Sequence, residues 1–359
     1  MAAVHQQDLG ERLLGLARHW YATGAAEELR RRTGDPGPVR RRSVEDDAYT
    51  EVEEVTLGGV TVRAGHSAVL TSLEWAFGIR PPVAELVARA VPYPNALQVN
   101  RSTVSHVLVG RRSPRDWSEL AALRDHPDPA HRRFLADVLG NRQSLACFQQ
   151  RPDTRRDPDF LAAWALDEPD GQVLARVLDV YTSQDHPQQE AIGVRFAGHP
   201  DPEVRREVPY CLVRAGEPLS ATASDTLARL ARDPDTLVRR TVAQALGIPR
   251  GLTPASREML LALVQDPVPQ VRIPAAGSLG LADEHRAVVT DALAELLDEE
   301  DVLLRLEAAY ALALRDDPRT EEAYERVGPL DAGFGHDPRA DALRRYRTRN
   351  PAPSDPAAG

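Results

Sequence analysis

A repeat of 33 or 34 residues runs through the second half of the sequence and constrains the fold more than any other feature. Four short segments share an apolar residue followed by arginine. They are Asp201–Arg205, Asp235–Arg239, Val268–Arg272 and Asp301–Arg305. Successive arginines are separated by 34, 33 and 33 residues. A period of this length is typical of solenoids, in which each repeat forms one supersecondary unit and neighbouring repeats share a core.

Each segment leads into an amphipathic helix. In the first of them, Val204, Val208 and Leu212 fall on one helical stripe, and the other three copies keep the same spacing. A second helical run precedes each segment. Asp-Pro sequences such as Asp233-Pro234 stop one helix and start the next, because proline fits the first turn and aspartate accepts its N–H groups. The sequence therefore predicts a unit of helix, short turn and helix.

Weaker copies lie upstream. His126-Pro127-Asp128-Pro129 leads to Arg132 and a helical run, and further helical runs cover 83–90 and 96–109. We therefore predict an all-α fold, an α-solenoid of about six or seven helical pairs over residues 81–330.

The Asp-Pro turns and Val-Arg pairs resemble HEAT repeats, in particular the short bacterial form also found in phycobilisome lyase subunits. The match is strong over 199–314 and weaker over 113–198. This resemblance implies that the solenoid is right-handed and that its second helices line a concave face. It also implies a structural ladder of Asp and Arg side chains from successive repeats. The predicted ladder residues are Arg132, Asp201, Arg205, Asp235, Arg239, Arg272 and Arg305.

The two ends of the chain lack the period. Residues 1–80 are predicted to form a cap region with an N-terminal helix. Two β-prone runs within it, 51–57 and 60–63, flank Gly58-Gly59 and predict a tight hairpin at about 50–63. Residues 331–359 are predicted to be a tail, and the proline-rich last ten residues are predicted to be disordered.

Composition excludes several functional classes. The chain has 44 arginines and no lysine, which removes Schiff-base enzymes, Walker A nucleotide-binding proteins and protein kinases. Cys147 and Cys211 stand far apart, so we expect neither a disulfide framework nor a structural zinc site. The net charge of −10 argues against a protein that coats nucleic acid. With no apolar run long enough to span a membrane and no leader pattern at Met1, the sequence predicts a protein of the cytoplasm. The resemblance to the short bacterial HEAT form implies that the protein is bacterial.

Helical periodicity also selects residues that point away from the core of the second helices. Tyrosine and arginine are frequent among them, and both are over-represented at interface hot spots. The predicted partner-binding residues are Arg206, Tyr210, Arg240, Gln244, Ile273, Leu306 and Tyr310. Our hypothesis is a non-catalytic scaffold that binds a protein or peptide on its concave face and regulates or inhibits it. We expect no cofactor, metal or catalytic residue, and a protein partner rather than nucleic acid or a membrane.

An enzyme on the same scaffold is the alternative. Asp116 beside Trp117 is compatible with a base-excising DNA glycosylase built on HEAT-like repeats, and the repeat form is compatible with a bilin-lyase-like subunit. A glycosylase would bind DNA with a steep inverse salt dependence, whereas a lyase would need a bilin. The sequence leaves this alternative open.

Overall fold

The computed structural model describes residues 2–111, 113–149, 157–248, 253–281, 286–330, 332–334 and 336–350. The chain divides into two units, Met1–Val180 and Tyr181–Gly359. Paired helices make up most of both units, and the first also holds a small antiparallel sheet. The predicted all-α fold of repeated helical pairs with a small N-terminal β segment is confirmed. In the described ranges, no helix is both long and apolar enough to cross a lipid bilayer.

Three helices and three strands form the N-terminal segment. In chain order they are α1 (Ala2–Thr23), α2 (Ala25–Thr33), β1 (Arg40–Glu45), β2 (Glu51–Leu57), β3 (Val60–Arg63) and α3 (His66–Ala76). The strands pair antiparallel in the order β1-β2-β3. Gly58 and Gly59 have φ of 56° and 77°, and a two-residue hairpin turn requires such positive values. The predicted hairpin is therefore confirmed. On the sheet face toward α2, Val55 and Leu57 pack against Leu29.

Strand β1 was not predicted, because Arg40-Arg41-Arg42 reads as surface charge rather than as an alternating strand. The structure shows what supports it. Arg42 lies opposite Glu54 in the β1–β2 register and donates a hydrogen bond of 2.8 Å to its carboxylate. Cross-strand pairs of opposite charge stabilise neighbouring strands, so the charges hold an edge strand that has little apolar surface.

The rest of the described chain forms eight helical pairs. They are α4 (Val83–Ala90) with α5 (Val99–Gly110), α6 (Pro114–Ala121) with α7 (Pro129–Gln149), α8 (Asp157–Asp167) with α9 (Gly171–Thr182), α10 (Gln189–Phe196) with α11 (Pro202–Leu212), α12 (Ala221–Leu230) with α13 (Thr236–Leu246), α14 (Pro254–Leu263) with α15 (Pro269–Gly280), α16 (Ala287–Glu295) with α17 (Val302–Ala313), and α18 (Thr320–Val327) with α19 (Pro338–Arg349). We call the later member of each pair the second helix.

Aspartate caps define where many second helices begin. The side chains of Asp201, Asp235, Asp301 and Asp337 each accept a hydrogen bond of 2.8 or 2.9 Å from the backbone N–H two residues later. The repeat's leading apolar residues follow in the first turn and are fully buried. They are Val204, Val238, Val271 and Leu304. Capping and the apolar stripe thus agree on the position of each second helix.

The last pair lies partly in the segment that was predicted to be a tail. Asp337 caps α19, Leu343 and Tyr346 are buried, and Arg339 forms an ion pair of 2.9 Å with Glu307 of α17. The helical array therefore continues to the end of α19, beyond the boundary at 330 that the sequence predicted. Of the last ten residues, predicted to be disordered, 351–359 lie outside the described residues.

Candidate functional site

Arginines of the second helices connect neighbouring repeats through the turns. Arg205 of α11 donates from Nε and Nη2 to the Asp233 carboxylate at 2.7 and 2.8 Å, and from Nη1 to the carbonyl oxygen of His199 at 2.8 Å. Arg239 of α13 repeats this pattern with Asp266, at 2.7 and 3.0 Å, and with the carbonyl oxygen of Asp233. Each arginine therefore joins the turn of its own repeat to the carboxylate of the following turn.

Other predicted ladder arginines lie in comparable positions. Arg132 forms an ion pair of 2.9 Å with Glu168, and Arg272 forms one of 2.8 Å with Glu299. Arg305 donates to the carbonyl oxygen of Glu299 at 2.7 Å. Bidentate or charge-assisted contacts of this kind are among the stronger hydrogen bonds in proteins.

The predicted ladder aspartates do not pair with the ladder arginines. Asp201 and Asp235 cap their helices, and the carboxylate that meets Arg205 is Asp233, two residues before the cap. Asp235 also accepts hydrogen bonds of 3.2 Å from Nε and Nη2 of Arg206. These hydrogen bonds hold the pKa of Asp235 below its usual value. In the turn at 233–235, Asp233 therefore pairs with Arg205 and Asp235 pairs with Arg206.

A row of side chains runs across the second helices of the second unit. Helices α11, α13, α15 and α17 pack side by side, and the hydroxyl of Tyr210 donates to Gln244 Oε1 at 3.3 Å. Arg240 is exposed, whereas the tyrosines, the glutamine and the isoleucine of the predicted set are half-buried. We define the second-helix face as Arg206, Tyr210, Arg240, Gln244, Ile273 and Tyr310.

Two predicted members of this surface differ from expectation. Leu306 is fully buried, so the prediction that it points away from the core is wrong. The reason is that α17 packs against α15, α16, α18 and α19, which leaves its side chains less exposed than those of α11. Arg206 is held by Asp235 and, at 2.5 Å, by Glu203, and 19% of its side chain is exposed. It contributes to repeat packing as well as to the surface.

The residues that favoured a glycosylase have structural neighbours. The Asp116 carboxylate lies 3.7 Å from Nη1 of Arg111. The ring of Trp117 meets Phe160 edge to face at 6.1 Å between centroids, and the guanidinium of Arg142 lies 4.8 Å from its ring centroid. These contacts place both residues in the packing of the first unit.

The potential metal ligands of the described ranges do not form a cluster. Within the described residues, no three His, Cys, Asp or Glu side chains are placed to hold a metal ion. His126 and His131 stack at 3.8 Å, and His131 contacts Asp128 at the start of α7. Cys211 is fully buried, and burial raises the pKa of its thiol. The side chain of Cys147 lies outside the described residues.

A buried carboxylate joins three second helices of the first unit and was missed in the sequence. Asp137 of α7 accepts from Nη2 of Arg101 in α5 at 2.6 Å and, through its other oxygen, from Nε of Arg176 in α9 at 2.8 Å. Asp137 and Arg101 are both buried. An acidic residue within the apolar stripe of α7 was the signal that could have revealed this contact, since a buried charge must be paired.

The repeats of this chain are similar to those of known proteins. Residues 158–247 and 223–313 match the family of HEAT repeats. Among solved structures, the YibA protein of E. coli has a TM-score of 0.51 at 19% identity, over 76% of this chain and 97% of that chain. Human deoxyhypusine hydroxylase in complex with glycerol has a TM-score of 0.27 at 17% identity, over 74% of this chain and 93% of that chain. No curated protein sequence matches this chain. The likeness to YibA shows the fold.

Proposed function

We propose that this chain, whose residues 158–313 are HEAT repeats, is a scaffold that binds a protein or peptide partner along the second-helix face. Arrays of this kind present extended surfaces and have no chemistry of their own, so the function depends on the side chains they display. The proposal is that these side chains bind a partner and catalyse no reaction.

The observation that carries the proposal is the continuity of the second-helix face. Tyr210 and Gln244 touch across neighbouring repeats. Farther along, a Cβ added to Gly277 would lie 2.7 Å from Oε1 of Glu307, so α15 and α17 are also in close contact on this side. Half-buried tyrosines such as Tyr210 and Tyr310 offer large, rigid contact areas at a low entropic cost. A partner laid across the repeats would meet an aromatic group at both ends of the row.

Charge supports a basic partner. The whole chain carries a net charge of −10, which attracts positively charged proteins over several ångströms and accelerates their association. On the second-helix face, the exposed Arg240 would contribute to specificity. The half-buried Glu207 and Glu307 are close in sequence to residues of this face. A basic surface covered in this way is unavailable to its other ligands, and this is how the scaffold would regulate or inhibit its partner.

The test is quantitative affinity capture of the tagged full-length protein from its native lysate, treated with nuclease and analysed by isotope-labelled mass spectrometry. We compare the wild type with the double variant Tyr210→Ala/Tyr310→Ala. The matched control is Tyr324→Ala, which removes a half-buried tyrosine from α18, a first helix. Truncation of interface hot spots costs ~2 kcal/mol or more. We therefore expect the partner to be depleted at least about tenfold by the double variant and retained by Tyr324→Ala.

Thermal unfolding of all three proteins shows whether a loss of binding reflects a loss of folding. A partner captured equally by the double variant and the wild type would refute binding at this face. A partner that disappears on nuclease treatment of the wild type would refute the protein-binding function and favour nucleic acid.

A further inference from the structure

The N-terminal sheet has an open edge along β1. This strand pairs with β2 on one side, and no described strand lies along its other side. Five of its six residues are exposed. An open edge presents backbone N–H and C=O groups, and strand addition joins one chain to another through such groups. The partner binding proposed for the second-helix face does not use this edge.

The hydrogen bonds of β2 show which way its backbone groups point. The carbonyl oxygen of Glu53 accepts from the Ala64 N–H at 2.7 Å, on the side of β3. The Glu51 N–H donates at 2.8 Å to the carbonyl oxygen of Leu97, in the loop before α5. In a strand, the N–H and C=O of one residue point to the same side, and this side alternates from residue to residue. Glu51 and Glu53 therefore direct their backbone groups away from β1.

The register then identifies the residues of β1 that face the open edge. Ser43 lies opposite Glu53, and Glu45 lies opposite Glu51. Neither pair exchanges backbone hydrogen bonds, so the N–H and C=O groups of Ser43 and Glu45 point outward, as do those of Arg41, two residues earlier. The open edge thus offers the backbone groups of three residues to another strand.

A second copy of β1 satisfies all three residues in one antiparallel register. When a twofold axis places Ser43 opposite Ser43 of the second copy, Arg41 lies opposite Glu45 of that copy, and Glu45 lies opposite its Arg41. Each of the three pairs would exchange two backbone hydrogen bonds. An axis at Arg42 would instead oppose two arginines, and an axis at Val44 would leave Arg41 beyond the end of the second strand. Charge and hydrogen bonding therefore select the register centred on Ser43.

The charges of β1 favour this pairing. Charged residues on an edge strand usually prevent association with another chain. Here the sequence is basic at 40–42 and acidic at 45–47, so an antiparallel copy brings opposite signs together. Opposite charges that face each other across two strands stabilise the pair, whereas like charges destabilise it. The edge is therefore complementary to itself.

Glu45 gains most from a second copy. It lies opposite Glu51 in the β1–β2 register, and like charges in this arrangement are unfavourable. Arg41 of a second copy would place a cation beside Glu45. Arg41 lies 2.6 Å from Glu53 of its own chain, but 53% of its side chain is exposed, and a guanidinium has enough donors for two carboxylates.

We propose that this chain forms a twofold-symmetric dimer, in which two copies of β1 pair antiparallel about Ser43 and join the two sheets into one sheet of six strands. An ion pair between Arg41 and Glu45 lies at each end of the junction. Twofold contacts of this kind are the commonest form of association among soluble proteins. A junction of one short strand per chain is small beside a stable interface, so the association is weak and depends on protein concentration.

Sedimentation velocity of the full chain, from low to high micromolar concentration, tests the proposal. Glu45→Arg opposes two arginines at both ends of the junction, and Arg41→Glu opposes two glutamates there. We expect either variant alone to raise the dissociation constant of the dimer at least about tenfold. An equimolar mixture of the two variants restores opposite charges at both ends and should dimerise. The matched control is Glu325→Arg, which makes the same change of charge at an exposed residue of α18 and should dimerise like the wild type.

Ser43→Pro tests the backbone contacts separately from the charges. Proline lacks the N–H that Ser43 directs to the open edge, and it leaves the backbone hydrogen bonds between β1 and β2 in place. We expect the dimer to be lost, with an unfolding midpoint close to that of the wild type at a concentration where both proteins are monomeric. A wild type that is monomeric at every concentration, a mixture of the two charge variants that does not dimerise, or a dimer that survives Ser43→Pro would overturn the proposal.

Discussion

Replacement of Arg239 by glutamine tests whether the arginine ladder holds the repeats together. The variant removes two hydrogen bonds to Asp266, of 2.7 and 3.0 Å, and one to the carbonyl oxygen of Asp233, of 2.9 Å. The exposed fractions of the Arg239 and Asp266 side chains are 13% and 6%. The pair is thus largely buried, and water screens the attraction between the two charges only in part.

The magnitude follows from what the substitution leaves behind. Removal of one partner of a buried ion pair costs about 3–5 kcal/mol, because the other charge stays buried without compensation. Here Asp266 retains a hydrogen bond of 2.9 Å from the Val268 N–H, and glutamine can still donate one hydrogen bond. We therefore expect the free energy of unfolding of the second unit to fall by about 2–3 kcal/mol.

Urea unfolding of the full chain, combined with hydrogen exchange at α13 and α15, measures this loss. Arg240→Gln is the matched control, because it changes the adjacent exposed arginine and should alter stability by less than about 0.5 kcal/mol. In a double-mutant cycle with Asp266→Asn, we expect a coupling energy of about 1–2 kcal/mol. Equal stability of Arg239→Gln and Arg240→Gln, or a coupling energy near zero, would refute the ladder argument.

Two further predictions concern packing and pH. Gly193→Ala should destabilise the second unit by about 1–3 kcal/mol, because the new Cβ would lie 2.6 Å from Cβ of Cys211. Gly198→Ala is the control and should be tolerated, because the space around Gly198 is open. Equal melting temperatures of the two variants would contradict this prediction. Because Arg206 lowers the pKa of Asp235, the resulting stability is present above the ordinary aspartate pKa of about 4 and is lost as pH falls below it. Arg206→Gln should reduce this acid sensitivity in urea titrations at several pH values, and an unchanged pH profile would count against it.

The repeat period was sufficient to predict the helical pairs, because it reports which residues share a buried stripe. It failed where packing is supplied by other means. Strand β1 is stabilised by ion pairs such as Arg42 with Glu54, and charge runs carry no strand periodicity. In α19, the buried residues are Ala340, Leu343 and Tyr346, and the surrounding arginines obscure this short apolar pattern.

The candidate site was predictable only at the level of a helix face. Asp233 and Asp235 stand in one turn. Which of them pairs with Arg205 depends on the offset between neighbouring helices, and the sequence of a single repeat carries no information on that offset. Leu306 shows the same limit, since its burial depends on the helices that follow it. The open edge of the sheet belongs to β1, a strand that the sequence did not predict, so no local motif announces it.

The double use of Asp233 has a consequence for how such an array can change in length. Its carboxylate receives Arg205 of the preceding repeat, and its carbonyl oxygen receives Arg239 of its own repeat. Asp266, also followed by proline, makes the corresponding contacts with Arg239 and Arg272. Excision of one whole period between these two aspartates would bring Arg205 against an equivalent acceptor. Duplication or loss of complete repeats can therefore alter the length of the array without requiring a new kind of contact between repeats.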